Sequence, residues 1–483
     1  MVGERRRLIV IGLDSASPDY LFGRCRKVMP NLDLLLRRAV RAPLRTTDPP
    51  ISVPAWPVMF TGVDPGTLGL YGFRHRIENS YTKTKGPVST DIPVPTLWSL
   101  LSESARRVCV IGMPVGYPPP PVNGVYISDF LTPAGSRDFT YPEALAAEIE
   151  REYGPYVFDV TFRAEERDQL YRDIVRMTQV RFAIAEDLYL REPWDVFAIH
   201  EIGTDRLHHA YTKYFDPAHP GYVPGNRFEH CLSDYYRIVD QGIGRILSHR
   251  DTRTVVCIVS DHGSMPMAGC FCVNQWLAEK GYLALGPVAE RGTPLDAAPV
   301  DWSRTQAWGA GGYYARIFFN VRGREKEGTV DPSDIPRLRE RLERDLSAIR
   351  TPDGKPFGTR VLDPVTLYHQ VRGEPPDLMV YFDDLRWRSA GTLGHPTNFL
   401  RENDIGPDDA VHAVEGIFVL ADAAVTGEVE LPPQDVIDLT PTLLALLGEP
   451  LPAHLQGKPM ASALSYFDRG RGPVGPDGTR PDP

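Results

Sequence analysis

The chain has 483 residues, 42 % hydrophobic and 24 % charged, and its 53 basic against 63 acidic side chains leave a net charge of −10. Such a composition is ordinary for a soluble globular protein, and the negative balance excludes a nucleic acid polymer as partner, so any phosphate recognition has to be local. Six cysteines with no Cys-x-x-Cys pair exclude a disulfide framework and a thiolate zinc site. The basic start Glu4-Arg5-Arg6-Arg7 precedes only six residues of apolar run, too few for a signal-peptide core or a membrane span, so the sequence predicts a cytoplasmic protein with no membrane partner.

In chain order, the first element is the run Leu8-Ile9-Val10-Ile11-Gly12-Leu13, a buried strand that stops at Asp14. Residues 48–62 read as a loop entering a helix. Ser52 stands before Val53-Pro54 as an N-cap, and proline suits the first turn because its missing N–H would lack a helical partner anyway. A hydroxyl at that point sits among unpaired N–H groups, which favours an incoming phosphate and a developing alkoxide. Taken alone, Ser52 is a plain cap, and Thr46 and Thr47 are rival hydroxyls. A second strand run covers 107–112, and 143–151 and 166–189 have helical period with solvated charged faces.

The strand run 194–199 leads to Asp205-Arg206-Leu207-His208-His209. Asp205 and His209, four apart, leave one face of a helical turn and can share an ion, unless Asp205 merely caps the helix and His209 packs against it; His208 points elsewhere, as a structural histidine. The run 254–259 ends in Ser260-Asp261-His262-Gly263, where glycine permits a sharp turn that aims its neighbours at one centre. A buried carboxylate there needs a cation or hydrogen-bond donors. From about 270 to 390 Trp302, Trp308, Gly309, Gly311, Gly312, Tyr313 and Tyr314 crowd together and a charged helical segment covers 336–349, the texture of an inserted cap. A last strand run covers 415–420, and the final residues are rich in Gly, Pro and charge.

Alternating strands and helices predict the α/β class: a mixed, mostly parallel sheet with helices on both faces, its chemistry collected outside the carboxyl ends of strands. The expected division is a discontinuous catalytic core of residues 1–270 and 390–465, a cap of residues 271–389 and a disordered tail of residues 466–483. Asp14, Ser52, Asp205, His209, Asp261, His262 and a later histidine offer oxygen and imidazole donors for two ions, a set that suits zinc or manganese better than calcium or magnesium.

The segments Val10 to Asp14, Ser52-Val53-Pro54 with Phe60-Thr61-Gly62-Val63-Asp64-Pro65, Asp205 to His209, Ser260-Asp261-His262-Gly263, His412 to Phe418 and Asp438 to Leu443 together resemble the alkaline phosphatase superfamily. Within it they are similar to the type I phosphodiesterase/nucleotide pyrophosphatase branch and related bacterial predicted phosphohydrolases or phosphomutases. The resemblance implies an alkaline-phosphatase-like fold and two divalent ions, zinc first and manganese as the alternative. One would be held by Asp205, His209 and His412, the other by Asp14, Asp261, His262 and the oxygen of Ser52. Ser52 is then the catalytic nucleophile, and an ion-bound hydroxyl needs no separate histidine base. The partner implied is a small phosphate-containing substrate such as a nucleotide; the oligomeric state is left open.

His395, in Gly394-His395-Pro396-Thr397, is a further substrate-binding candidate. The family's phosphate-assisting asparagine has no match: Leu68 and Phe73 stand where its histidine and asparagine are expected, and Arg74, His75 and Arg76 follow as candidate donors to a terminal phosphate. His75, His200, His219, His230, His249, His369 and His454 show no partner by spacing and read as core or surface. A sulfatase is disfavoured because Ser52-Val53-Pro54-Ala55-Trp56 lacks the arginine of that motif. The expected function is a two-metal phosphohydrolase that cleaves phosphodiester or nucleotide pyrophosphate bonds through a phospho- or nucleotidyl-serine, with the aromatic insert shaping the leaving-group pocket. The alternatives are a phosphomonoesterase, phosphonate hydrolase or phosphomutase on the same site, and a non-catalytic scaffold.

Overall fold

The computed structural model describes residues 5–288 and 290–468. Ten strands form its main sheet: β1 (Arg7–Leu13), β2 (Arg38–Arg45), β3 (Val108–Ile111), β4 (Gly124–Ile127), β5 (Thr140–Tyr141), β6 (Val196–Glu201), β7 (Thr254–Val259), β8 (Glu415–Ala421), β9 (Gly427–Glu430) and β10 (Gln434–Asp435). Their order is β9-β2-β8-β7-β1-β6-β3-β4-β5, with β10 also paired to β2. The stretch β7-β1-β6-β3-β4 is parallel throughout, while β8 runs antiparallel to both β7 and β2. The sheet is therefore mixed and mostly parallel, the architecture expected of an alkaline-phosphatase-like α/β fold.

The five strand runs legible in the sequence are β1, β3, β6, β7 and β8, because central strands buried on both faces are continuously apolar. Along β1 successive residues enter opposite cores. Ile9, Ile11 and Leu13 join Ile174, Phe182, Tyr235 and Val239 from the helices Arg167–Arg191 and Cys231–Ser248. Leu8 and Val10 join Trp56, Met59 and Leu443 from the helices Ser52–Thr61 and Leu439–Leu447. Helices thus cover both faces. The strand β2 escapes sequence reading because arginines punctuate it; it lies near the sheet edge, where one face meets solvent.

Residues 271–389 contribute a four-stranded antiparallel sheet in the order Ala307–Ala310, Ala315–Phe319, Leu378–Tyr381, Arg360–Leu362. The charged helical segment is the helix Ile335–Ser347, which turns Leu338, Leu342 and Leu346 into a separate apolar cluster with Phe319, Phe357 and Phe382. Its ends are stitched together where Gly269–Cys272 pairs with Trp387–Ala390 and Phe399–Leu400.

The tail expected to be disordered from residue 466 needs correction at its start. Residues 466–468 close the helix Ala461–Asp468, because Phe467 is buried in the core cluster of the second sheet face; residues 469–483 of that tail lie outside the described residues. Among the described residues no helix is long and apolar enough to cross a membrane. All six cysteines are buried and free.

The helices Arg167–Arg191 and Cys231–Ser248 meet at Gly242, where an added Cβ would stand 2.4 Å from Phe182 Cγ. Gly242→Ala is expected to destabilise the fold by about 1–3 kcal/mol, read as a lower urea midpoint; an unchanged midpoint would mean that the helices separate without cost.

Candidate active site

Three strand ends and one helix start converge. β1 ends at Asp14, β7 at Asp261 and His262, and the helix Gly203–Phe215 that follows β6 carries Asp205 and His209 one turn apart. His412 is delivered by the ribbon Ala410–Ala413, whose pairing with Gly263–Pro266 sets His412 opposite Ser264. Ser52 opens the helix Ser52–Thr61, and all seven side chains are buried.

The expected capping role of Ser52 is corrected by the backbone. Ile51, extended at φ −133° and ψ 137°, is the capping residue and Ser52 is the first helical one. Its hydroxyl turns instead toward the cluster, with Oγ 3.3 Å from Asp14 Oδ1 and 3.2 Å from His262 Nε2. The rival Thr47 gives its hydroxyl to the Pro49 carbonyl at 2.6 Å. Ser15, in the left-handed region at φ 63°, swings its N–H onto Asp261 Oδ1 at 3.1 Å. That local strain is held by the surrounding structure.

The imidazoles are oriented from behind. His209 Nδ1 is 2.7 Å from Asp408 Oδ1, His412 Nδ1 2.6 Å from the Pro50 carbonyl, and His262 Nδ1 2.9 Å from the Gly263 carbonyl. Each acceptor demands the Nδ1–H tautomer, which leaves three Nε2 lone pairs facing inward. His209 Nε2 then stands 3.2 Å from His412 Nε2 and 3.1 Å from Asp205 Oδ1, and His262 Nε2 is 3.1 Å from Asp261 Oδ2. Asp205 Oδ1 and Asp261 Oδ2 are buried with no hydrogen bond.

Lone pairs facing lone pairs, with orphaned carboxylate oxygens between them, fit divalent cations and little else. Ligand-type atoms of Asp205, His262 and His412 lie within 4.8 Å of one another, as do those of Asp14, Asp261 and His262. His262 therefore stands between the two groups, and His209 adjoins the first.

The protonation balance follows from the same crowding. Burial pushes the Asp261 carboxyl well above the usual carboxylate range, and Asp14 beside it adds to the rise. Burial alone would raise Asp205, yet His209 and Arg206 hold it well below that range. Burial lowers His412 and His262, whereas for His209 the surrounding Tyr313, Asp205 and Asp408 overcome burial and hold its imidazole well above the ordinary value.

Several groups around the cluster carry no spacing signal in the sequence. Asp408, behind His209, accepts from Arg163 at 3.0 Å and from Arg388. Tyr313 stacks on His412 with ring centroids 3.8 Å apart and its hydroxyl is 3.3 Å from His209 Nε2. His200, read as a core or surface residue, has Nε2 2.9 Å from Asp14 Oδ2. Its only sequence signal is its place near the end of a strand run that precedes Asp205. His208 is the structural histidine expected, stacked on Tyr236 with Nε2 3.1 Å from its hydroxyl.

Not every expected substrate residue joins the site. His395 is instead bound through its ring to Thr392 Oγ1 at 2.7 Å and through its backbone N–H to Gln275 Oε1 at 3.0 Å. Arg76 is buried in an ion pair with Glu325 at 2.8 Å, and His75 accepts the Tyr71 N–H at 2.9 Å while burial lowers it to about 4. Neither is available as a phosphate donor. Arg74 lines a cavity of about 600 Å³ beside the cluster, together with Arg163, Arg206, Arg316 and Arg388. Tyr313, Tyr314, Phe130 and Phe162 form its apolar walls. Trp302 and Trp308 do not line that cavity: Trp302 stacks on Tyr81 at 3.8 Å and Trp308 packs against both.

Carboxylates and imidazoles gathered at the carboxyl end of such a sheet, beside a helix-borne serine, define a metal-dependent α/β hydrolase. The sequence profile of the type I phosphodiesterase/nucleotide pyrophosphatase family matches residues 8–408, and the chain belongs to that family, whose members are metal-dependent hydrolases acting on phosphoric ester bonds. The solved structure of human ectonucleotide pyrophosphatase/phosphodiesterase 5 is similar over 95 % of this chain and 98 % of its own, with a TM-score of 0.55 and 14 % identity, a likeness of fold. No curated protein matches the sequence.

Arg388 and Asp408 are both buried, and Asp408 lies well below the usual carboxylate range: burial would raise it, but Arg388 and His209 prevail. Its stabilisation is present above the unfolded carboxylate range near about 4 and is lost as pH falls toward the lower folded value. Asp408→Asn should therefore cost about 3–5 kcal/mol in denaturant titrations between pH 5 and 8. The gap from the unsubstituted protein should narrow below about pH 4, and a gap that widens there would contradict the assignment.

Proposed function

We propose that the chain is a two-metal phosphohydrolase that cleaves phosphodiester or nucleotide pyrophosphate bonds through a covalent phospho- or nucleotidyl-serine on Ser52. One observation carries this: Ser52 Oγ lies 3.3 Å from Asp14 and 3.2 Å from His262 in a buried wall of carboxylates and inward lone pairs. Asp205, His209 and His412 would hold one ion, and Asp14, Asp261, His262 and Ser52 Oγ the other, zinc being favoured by the mixed N/O donors and manganese the alternative. When bound, the two cations supply Lewis-acid polarisation of phosphoryl oxygens and a lowered pKa for the serine hydroxyl.

The chain's own residues position the reaction. Ser52 Oγ attacks phosphorus in line, an Oγ–P bond forms, the bond from phosphorus to the leaving oxygen breaks, and the hydroxyl proton passes to solvent. Water then attacks the same phosphorus and frees the serine. The first N–H groups of the helix Ser52–Thr61 have no helical acceptor and favour negative charge on the phosphoryl group. Arg74 and Arg316 on the cavity wall bind the part of the substrate beyond the reacting phosphorus, and Tyr313, Tyr314, Phe130 and Phe162 flank its apolar part. His395, held by Thr392 and Gln275, is given no role in substrate binding.

A phosphomonoesterase or phosphonate hydrolase on the same residues is the second reading, favoured by the five arginines around one cavity. Turnover of bis-p-nitrophenyl phosphate, p-nitrophenyl phosphate and a nucleoside phenylphosphonate separates the classes. Ser52→Ala should lower kcat on the preferred substrate by more than about 10³-fold while the protein retains two zinc or manganese ions by elemental analysis; persistent turnover would remove the covalent serine, and a metal-free inactive protein after reconstitution would favour a scaffold. If monoesters are the substrate, Arg74→Ala and Arg316→Ala should raise KM for p-nitrophenyl phosphate about tenfold and leave that for bis-p-nitrophenyl phosphate nearly unchanged. Equal effects on both would remove the monoester reading.

A further inference from the structure

Asp14 is gripped from the side away from the serine. Trp56 Nε1 donates to Asp14 Oδ2 at 2.9 Å, and His200 Nε2 is also 2.9 Å from Oδ2. A carboxylate oxygen has two in-plane lone pairs, so two donors occupy Oδ2 fully. Oδ1 is left to face Ser52 Oγ at 3.3 Å and His262 Nε2 at 3.8 Å.

The arrangement is built into the sheet. Gly12 of β1 and His200 of β6 are register partners, two residues before Asp14. Gly12 lacks the side chain that would otherwise fill the space above it, and a Cβ there would stand 2.6 Å from Trp56 Cη2. The indole takes that space, and the His200 ring meets it edge-on, with centroids 4.8 Å apart at 82°. Trp56 lies one helical turn beyond Ser52, so its bond to Asp14 also ties the helix that carries the serine to the end of β1.

We propose that Trp56 and His200 are positioning residues that commit Asp14 to single-oxygen ligation through Oδ1 and fix its distance from Ser52, with Gly12 as the seat that admits the indole. This rests on the assignment of Asp14 as an ion ligand. The carboxylate cannot rock to offer both oxygens, and His200 is held as its Nε2–H tautomer by the same contact.

The test uses the full chain, with zinc affinity measured by competition with a colorimetric chelator, KM and kcat measured at saturating zinc, and the thermal midpoint followed in parallel. Trp56→Phe keeps the ring and removes the donor; His200→Ala removes the second donor, and His200→Gln restores an N–H. Trp56→Phe and His200→Ala should each weaken one of the two ions about 10–100-fold, leave the other unchanged and leave KM at saturating zinc within about twofold of the starting protein, while His200→Gln recovers part of the affinity. Wild-type affinity for both ions in Trp56→Phe and His200→Ala, with Asp14→Ala losing one ion, would reduce the pair to packing and overturn the proposal alone. Wild-type affinity in Asp14→Ala as well would overturn the ligand assignment and the proposal with it. If His200→Ala does not fold, Trp56→Phe decides between these outcomes.

Discussion

Carboxylates buried side by side cannot all remain charged unless something positive stands among them, and that constraint organises this molecule. Asp14, Asp205 and Asp261 are buried at the mouth of one sheet, where uncompensated charge is costly. The protein answers on the outer atoms only. Carbonyls of Pro50 and Gly263 and the carboxylate of Asp408 fix three imidazoles from behind, while the Ser15 N–H and the side chains of Trp56 and His200 satisfy the outward carboxylate oxygens. The inward atoms are left with excess lone pairs, Asp205 Oδ1 and Asp261 Oδ2 having no hydrogen bond at all, an arrangement that is costly without cations and favourable with them.

The sheet's central strands were legible because burial on both faces requires unbroken apolar runs, and the acidic residues at their ends stood out against them. Asp14, Asp205 and Asp261 were therefore readable by position, and the Asp205/His209 pair by helical spacing. His412 was identifiable only through family resemblance. Its partner ribbon is short, and its approach depends on a pairing between Gly263–Pro266 and Ala410–Ala413 that no local pattern announces. His200 has no legible role in the sequence because its partner, Asp14, is far along the chain, and cross-strand register is not written in either strand alone. The same blindness applies to Arg76, whose distant partners Glu325 and Glu374 no local pattern announces.

The aromatic cluster divides on physical grounds. Trp302 and Trp308 pack with Tyr81 and contribute to the apolar core of the smaller sheet. Tyr313 and Tyr314 sit where the hairpin between Ala307–Ala310 and Ala315–Phe319 turns back toward the main sheet, so their rings reach the cavity, and the Tyr314 hydroxyl binds the Tyr71 carbonyl at 2.5 Å. Composition marked the region as unusual; only the hairpin decides which rings face the cavity and which are core. Of the arginines that share the cavity wall, Arg163, Arg206 and Arg388 are paired with Asp408, Asp159 and Asp205, while Arg74 and Arg316 add positive charge on a chain whose net charge is −10.

Asp408 carries a consequence for how such proteins diversify. It touches His209 on a core helix, Arg163 in the stretch before the helix Arg167–Arg191, and Arg388 on the strand Trp387–Ala390 that pairs with Gly269–Cys272. Residues 271–389 are consequently tied to the core helix through one carboxylate. A chimera that exchanged residues 271–389 for those of a relative without an equivalent of Arg388 would leave Asp408 short of a counter-charge and His209 loosely aimed, so this segment and the carboxylate–imidazole cluster are constrained to evolve together.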